Sequence, residues 1–466
     1  MICVLHGWLL EGSGSNLWTR SIITALAKSG ATVHLVCQEN HPERYDAISN
    51  AYRHKLSGAI ENTLDRKTPY EGSCILHQPE IGDTLPVFVK DKYEEFPNVV
   101  PMMEMDDETI ERYIERNVDV VRRIVTENDI SAIHANHAVL MPVVAQRVSH
   151  EMGIPYTVMP HGSDIEYAVK KDERFKRYAS SAFTDAARIF CIGKEMRDRI
   201  TTVFSDLPGV ESKFVELHLG VDTSQFDAIP RDKREQNIAS LEATLANSPR
   251  AATGDESKLP DADIEKKLRQ INWRKDPVVL FTGRLIPAKG IQHVVEAMPR
   301  ILEKVPDLHL IIVGHGPLRA PLEARIRELG IAPDKIIFTG YLTHRELHFL
   351  FPCCDVGVFP SMVREAGPLV FLESLASGCF PLGTYFGGMA ASIDAVSRDL
   401  PAEVAGTMKL GVETTTQDLV RQIPRALSIS GKYRNDLARI ARERYDWVSV
   451  ARTFAAELSS IAAWPS

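Results

Sequence analysis

Apolar and polar positions along this chain follow two periods in turn. Short apolar runs bounded by Gly, Pro or Asp give way to longer segments with apolar residues three or four apart. The first such pair is "ICVLHG" (residues 2–7) and "LWTRSIITALAKSG" (17–30), in which Leu17, Ile22 and Leu26 share one side and Gly30 ends the run. This predicts a buried strand followed by an amphipathic helix. "TVHLVC", "SAIHAN", "PYTVMP" and "ARIFCIG" repeat the strand pattern, and "DDETIERYIERNVDVVRRIVTEN" is a helix among them. Strands separated by helical segments predict a parallel sheet covered on both faces. Residues 39–100 depart from this grammar. They read as a long, polar, irregular segment that shapes a ligand pocket.

Residues 227–276 change character again, being charged and Ala-rich with little core pattern. They read as a linker with an inserted, partly helical or mobile excursion. The alternation then restarts with "PVVLFTG", "LHLIIVGHG", "KIIFTG", "VGVFPS" and "FPLGT", each followed by a helix-like segment. The last segment, "YDWVSVARTFAAELSSIAAW", is an amphipathic helix with no strand after it. The expected fold class is α/β, with two doubly wound, Rossmann-like domains. The first spans 1–226, the linker or insertion 227–276, and the second 277–446. Such sheets bind ligands beyond their C-terminal strand ends, at helix N-termini. The chemistry is therefore sought in the loops that follow strands.

Composition narrows the function classes. A chain of 466 residues accommodates two or three domains. Its net charge of −8 argues against a nucleic-acid partner and gives no sign of membrane association. No stretch reaches 18 apolar residues, and "MICVLHGWLL" lacks the basic start of a signal peptide, so a cytoplasmic protein is expected. The seven cysteines are odd in number and form no C-x-x-C, which predicts buried free thiols. Neither "HANH" (134–137) with His150 and His161 nor "DAD" (261–263) makes a compact ligand motif, so no metal is expected. A homo-oligomer is compatible with the sequence.

The loops after the strands hold the candidate chemistry. "FTGRLIPAKG" (281–290) offers Arg284 and Lys289 between Gly283 and Gly290, two cations that suit a diphosphate. "VGHGP" places Gly314 and Gly316 where backbone can approach a ligand. "FTGYLTHREL" puts Leu342 at a strand end, with Thr343 as a helix cap. "REAGPLVFLES" (364–374) sets Glu365 before Gly367, Pro368 and Leu369, the start of a helix, and Glu373 within it. That helix N-terminus attracts phosphate. The two acids would repel phosphate and suit hydroxyl-bearing neighbours instead. In the first domain, Gly12 and Gly14 lie at the first strand-to-helix turn, and His161 ends a strand beside Asp164. Each feature also has a plain structural reading as a cap, a turn or a solvated charge.

Taken in order, the Gly-rich first turn, "HG" (161–162), "HLGVDTSQF", "GRLIPAKG", "VGHGP", "TGYL" and the Glu-x7-Glu pair resemble a retaining family 4 glycosyltransferase of the GT-B fold. The resemblance runs through nearly the whole chain. It implies that the final helix, 447–466, crosses back onto the N-terminal domain. Arg284 and Lys289 would grip the donor diphosphate, Glu373 the donor ribose and Glu365 a hydroxyl of the donor hexose. Leu342 would contact the base. Gly12 and Gly14 would border the diphosphate and acceptor, and His161 would touch the donor hexose. The acceptor would sit near Glu11, Asn16, Trp18, Asn136 and Asp164. The chain departs from the family where Gly367 and Pro368 replace a Phe-Gly pair, since Pro368 has no N–H to give a phosphate.

The implied reaction moves a hexose from a UDP- or GDP-linked donor to a hydroxyl acceptor, small and soluble by the acidic net charge. No cofactor is expected beyond the substrate nucleotide-sugar. Two rivals are a sugar-nucleotide 2-epimerase of the same fold and a non-catalytic nucleotide-sugar-binding protein.

Overall fold

The computed structural model describes residues 1–11, 13–88, 96–247, 259–364 and 367–462. It contains two compact units, Met1–Leu219 with Trp447–Ser466, and Gly220–Asp446.

The strands of the first unit are β1 (Ile2–Leu5), β2 (Thr32–Val36), β3 (Ile48–His54), β4 (Ile60–Asp65), β5 (Ser73–Pro79), β6 (Thr84–Val87), β7 (Asn98–Pro101), β8 (Ala132–Asn136), β9 (Tyr156–Met159), β10 (Arg188–Cys191) and β11 (Phe214–Glu216). Among the described residues they form a nine-stranded sheet in the order β11-β10-β9-β8-β1-β2-β5-β3-β4, with β6 and β7 paired apart. Every pairing in the large sheet is parallel except β3 with β4. The order reverses at β1, which pairs with both β2 and β8. Helix Gly14–Lys28 is started by Ser13, whose hydroxyl accepts the Asn16 N–H at 3.3 Å. The final helix, Trp447–Ala462, packs on it: the Phe454 ring meets Trp18 at 5.7 Å and His134 at 4.8 Å between ring centres. This return of the terminal helix to the first unit is the arrangement that the resemblance implies.

Residues 39–100 hold five of these strands, β3 to β7, where the sequence reads as irregular. Their polar content hides them because it is paired across strands. His77 of β5 lies between His34 of β2 and His54 of β3, with N···N distances of 3.0 Å on both sides. Each imidazole nitrogen of His77 is used once, so a neutral His77 accepts on one side and donates on the other. Strand β4 is hidden for the opposite reason, as its residues are almost all exposed.

The second unit has β12 (Val278–Thr282), β13 (His309–Val313), β14 (Ile336–Gly340), β15 (Val356–Phe359), β16 (Phe380–Thr384) and β17 (Lys409–Leu410). They form a parallel sheet in the order β14-β13-β12-β15-β16-β17, which reverses between β12 and β15. The unit begins at Gly220, not at 277, and takes in the described residues of the expected linker. Helix Arg234–Asn247 is anchored by Arg234, 1% exposed, which forks onto Asp355 at 2.6 and 3.2 Å. The segment after the excursion returns along β14, where Leu259 O accepts from Tyr341 N and Thr339 O from Asp261 N. Asp261 of "DAD" is gripped by Arg319 at 2.6 and 2.7 Å and by Lys267 at 2.9 Å. Burial would raise its pKa, but those cations outweigh burial and hold it below the usual carboxylate value. This motif is a structural ion cluster.

All seven cysteines are buried and free. Burial pushes the Cys3 thiol up to about 12, which suits packing and not nucleophilic chemistry. Among the described residues, no helix is long and apolar enough to cross a membrane.

Burial also lowers six histidines of the first unit. His6 and His134 fall to about 3 and His54 to about 4; His34 is lowered, and His77 and His161 fall well below the ordinary value. Arg123 adds to the shift at His54, and Glu127 opposes it. A depressed histidine contributes stability above its unfolded pKa of about 6.5, which is lost as pH falls towards the folded value. Amide exchange in peptides covering β2, β3 and β5 should accelerate steadily from pH 7 to pH 5, after correction for intrinsic rates. Exchange protection unchanged over that range would contradict this reading.

Candidate active site

The end of the second sheet where the strand order reverses holds a cavity of about 460 Å³, within the range of small-molecule sites. Its walls come from Gly283 and Arg284 after β12, Gly314 and Gly316 after β13, Tyr341 and Leu342 after β14, and Glu373. Of the expected loop residues of this unit, Gly283, Arg284, Gly314, Gly316, Leu342 and Glu373 line this cavity, and Lys289, Gly367 and Leu369 are not among its walls.

The two glycines after β13 have a backbone task. Gly314 has φ +135°, and a Cβ there would collide with the Gly283 carbonyl. A Cβ at Gly316 would strike the Leu285 carbonyl. The loops after β12 and β13 interlock through Leu285 N to His315 O (2.8 Å) and Leu318 N to Leu285 O (3.0 Å). Close backbone approach is what these glycines allow, and the partner seen is protein. Arg284 is exposed on the resulting ledge. Lys289 runs beside it, its Cγ 4.0 Å from where a Cβ on Gly283 would lie. The stem of Lys289 thus passes close to Gly283, the residue before Arg284.

Helix Leu369–Ala376 follows β15. Pro368 sits just before its first residue, one position earlier than the sequence suggests. Gly367 and Leu369 are half-buried at this N-terminus, whose first N–H groups have no intrahelical partner. Glu365 and Gly12 lie outside the described residues.

Glu373 is the fifth residue of the helix, and its side chain is only 5% exposed. Oε1 lies 2.8 Å from Nδ1 of His344, and Oε2 is buried with no hydrogen-bond partner among the described residues. A buried carboxylate oxygen left open is costly, and this one belongs to a residue that lines the cavity. Sequence reasoning missed His344. Its one signal is its place directly after Thr343, which does cap the helix His344–Leu350: Thr343 N donates to Glu346 Oε2 at 2.7 Å. Beside it Leu342 is buried, and the Tyr341 ring is exposed over the cavity wall.

The first unit gathers a second cluster where β1 and β8 end. His161 Nε2 lies 2.7 Å from Asn136 Oδ1. Asp164, fully buried, accepts the N–H groups of His161, Gly162 and Ile165 at 3.2, 2.8 and 2.9 Å. Burial would raise the Asp164 pKa, but His137 and those N–H groups hold it low. His161 is kept neutral by burial and by the neighbouring His137, His6 and His134. It can share a hydrogen bond but carries no charge at neutral pH. His6, which sequence reasoning also missed, joins the cluster through Asn16 Oδ1 at 2.9 Å and Thr19 Oγ1 at 3.1 Å.

The five residues expected at an acceptor surface divide. Glu11 is exposed, 3.6 Å from Arg20, and Gly14 is exposed at the helix start. Asn16, Asn136 and Asp164 are buried and bonded within the unit, so they hold the strand ends in place. Trp18 is 1% exposed, and its ring faces Phe454 and His134 in the core. It is a core tryptophan and offers no face for a sugar to stack on.

Residues 88–225 match the family model described as Glycosyltransferase Family 4, and residues 263–444 match Glycosyl transferases group 1. The chain is a family 4 glycosyltransferase. A 2-deoxystreptamine glucosyltransferase of Streptomyces kanamyceticus is 30% identical over 170 residues, 34% of this chain and 43% of the relative. A GDP-mannose-dependent alpha-(1-6)-phosphatidylinositol monomannoside mannosyltransferase of Mycolicibacterium smegmatis is 23% identical over 324 residues, 67% of this chain and 74% of the relative. The match to the first of these thus spans less than half of that enzyme's length. Among solved structures, Anabaena HepE in complex with UDP has a TM-score of 0.60 at 16% identity, covering 99% of this chain and 100% of that one. A glycosyltransferase from Rickettsia africae has a TM-score of 0.61 at 15% identity, covering 100% of this chain and 99% of that one. At such identities the likeness shows the fold, which is GT-B.

The placement of Trp18 in the core of this glycosyltransferase has a measurable consequence. Trp18→Ala should lower stability by about 3–5 kcal/mol through cavity formation, seen as a lower unfolding midpoint, and Trp18→Phe should recover much of the loss. An alanine variant that unfolds like the wild type would place the ring outside the core.

Proposed function

We propose that this chain transfers a hexose from a nucleoside-diphosphate sugar to a hydroxyl acceptor, with retention of configuration and without a metal. The observation that carries the reading is one cavity with Arg284 and a buried, half-satisfied Glu373 in its wall, and with the stem of Lys289 close to Gly283. A nucleoside diphosphate has that polarity: two phosphates at one end and the hydroxyls of a ribose a few bonds away. The GDP-mannose named for the Mycolicibacterium relative and the UDP in the Anabaena structure both share it.

In this reading the bond from the hexose anomeric carbon to the diphosphate oxygen breaks, and a bond to the acceptor oxygen forms on the same face. The acceptor's proton passes to the departing phosphate. Charge grows on the diphosphate as it leaves. Arg284, Lys289 and the N-terminus of helix Leu369–Ala376 would stabilise that charge, as preorganised donors do most strongly. Glu373 holds the ribose, and Glu365 a hexose hydroxyl. The first unit serves the acceptor, with neutral His161 as a hydrogen-bonding group. The acceptor itself is small and soluble, in keeping with the net charge.

Release of nucleoside diphosphate from UDP-glucose, UDP-N-acetylglucosamine and GDP-mannose, with and without pooled small metabolites, tests this. One donor should be consumed in an acceptor-dependent way, unaffected by EDTA, and NMR of the product should show the donor's anomeric configuration. Arg284→Ala should reduce kcat/KM by about 10²–10³-fold, and Glu373→Gln should weaken donor binding. Isomerisation of a donor with no transfer would favour the epimerase, and binding without consumption under every condition would favour a sensor.

A further inference from the structure

A run of hydrogen bonds in the first unit starts in the loop after β1 and ends at His161. His6 Nε2 lies 3.1 Å from the Leu9 carbonyl and 2.9 Å from Asn16 Oδ1, whose amide nitrogen is turned away onto the Glu11 carbonyl. Both neighbours are acceptors, so His6 carries its proton on Nε2. Burial keeps His6 neutral, which leaves a lone pair on Nδ1. That nitrogen is 3.1 Å from the Thr19 hydroxyl, which is also 2.9 Å from the Ser15 carbonyl. Neither can donate, so the Thr19 proton goes to one of them and its oxygen is left to accept. The Asn136 amide nitrogen donates to it at 3.4 Å and lies 3.4 Å from the Leu5 carbonyl as well. Asn136 Oδ1 is thereby turned to His161 Nε2, 2.7 Å away. An amide oxygen only accepts, so Nε2 carries the proton. His161 is neutral too, chiefly through burial, and its Nδ1 is bare. This nitrogen has no partner among the described residues and is not one of the buried nitrogens left unsatisfied, so it reaches the surface of the unit.

We infer that the ordered chain of His6, Thr19 and Asn136 fixes His161 as its Nε2–H tautomer and presents a bare Nδ1 to substrate. A ring nitrogen takes its role from the bond that the other one makes, and a chain of hydrogen bonds holds its direction cooperatively. At neutral pH His161 therefore accepts a hydrogen bond and cannot give one. The consequence for substrate rests on the reading of the first unit as the acceptor side. The group that meets His161 there is a donor, a hydroxyl or an amine N–H, and not an ether or carbonyl oxygen. His6, Thr19 and Asn136 act through His161 and are positioning residues.

Long-range proton–nitrogen correlation spectra of the full-length protein, labelled with nitrogen-15 histidine and recorded at pH 7, test this. The His161 signals are those lost in His161→Gln. They should show the Nε2–H form with an unprotonated Nδ1. The Nδ1–H form, or a rapid mixture of the two, would overturn the inference in the wild type alone. Asn136→Leu should turn the single form into a mixture, and an unchanged pattern would remove Asn136 from its role. Asn136→Asp should keep the Nε2–H bond and raise the His161 pKa, since a carboxylate replaces the amide. The other titratable groups facing His161 are His6 on β1, His134 in β8, His137 after it, and Asp164, which accepts its backbone N–H. As pH falls from 8 to 6, protonation of Nδ1 should cost Asn136→Asp several-fold in sugar transfer that the wild type retains. Parallel profiles would contradict the inference. If no donor is consumed while the wild type shows the Nε2–H form, the transferase reading fails and the tautomer stands.

Discussion

The buried carboxylate of Asp355 sets the frame on which the second unit depends. It stands at the head of β15, and its Oδ2 accepts the Val278 N–H of β12 at 3.0 Å. Those two strands are the ones between which the sheet order reverses. Their far ends carry Gly283 with Arg284 and the loop that leads to Glu373. The same carboxylate binds Arg234 and, at 3.2 Å, Arg231, which brings in the excursion that the sequence presents as a linker. Arg434 of the long helix Thr415–Arg444 caps the Pro352 and Cys354 carbonyls just upstream. Burial would keep Asp355 protonated, yet Arg234 outweighs it and holds the pKa below its usual value. Removing one partner of such a buried pair typically costs about 3–5 kcal/mol, because the other charge is left uncompensated.

A frame fixed this firmly lets the site above it remain unsatisfied. Gly283, Gly314 and Gly316 allow two loops to interlock, so the ledge bearing Arg284 is set by backbone contacts. Glu373 keeps one oxygen open inside a buried wall. A cation and a carboxylate in the walls of one cavity discriminate by chemistry: phosphate repels the carboxylate, and a hydroxyl gains little from the cation. At the strand ends of the first unit His6, His134 and His161 are neutral and Asp164 is bonded to backbone N–H groups, which suits recognition of an uncharged partner.

Much of this was legible in the chain. Every apolar run read as a strand is a strand, because a parallel sheet covered on both faces needs continuous apolar segments. The loop residues Arg284, Gly314, Leu342 and Glu373 were legible by their position after such runs. What the chain concealed is polar pairing across long separations. Strands β3 and β5 escaped notice because His54 and His77 pair with each other, and His77 with His34, inside the sheet, and β4 because its residues are almost all exposed. The excursion read as a linker because its anchor, Arg234, meets its acid 121 residues later. Trp18 was placed near the acceptor because nothing local shows that Phe454 closes over it. His344 was hidden because its meaning lies in Glu373, on another helix.

The central claim is that the cavity of the second unit holds the nucleoside diphosphate. A crystal structure of the protein grown with UDP or GDP tests it most directly. The account predicts the diphosphate beside Arg284 and Gly283, with the ribose within hydrogen-bond distance of Glu373 Oε2. Nucleotide bound elsewhere, or bound here with Glu373 more than about 4 Å from any ribose oxygen and so beyond hydrogen-bond reach, would contradict it.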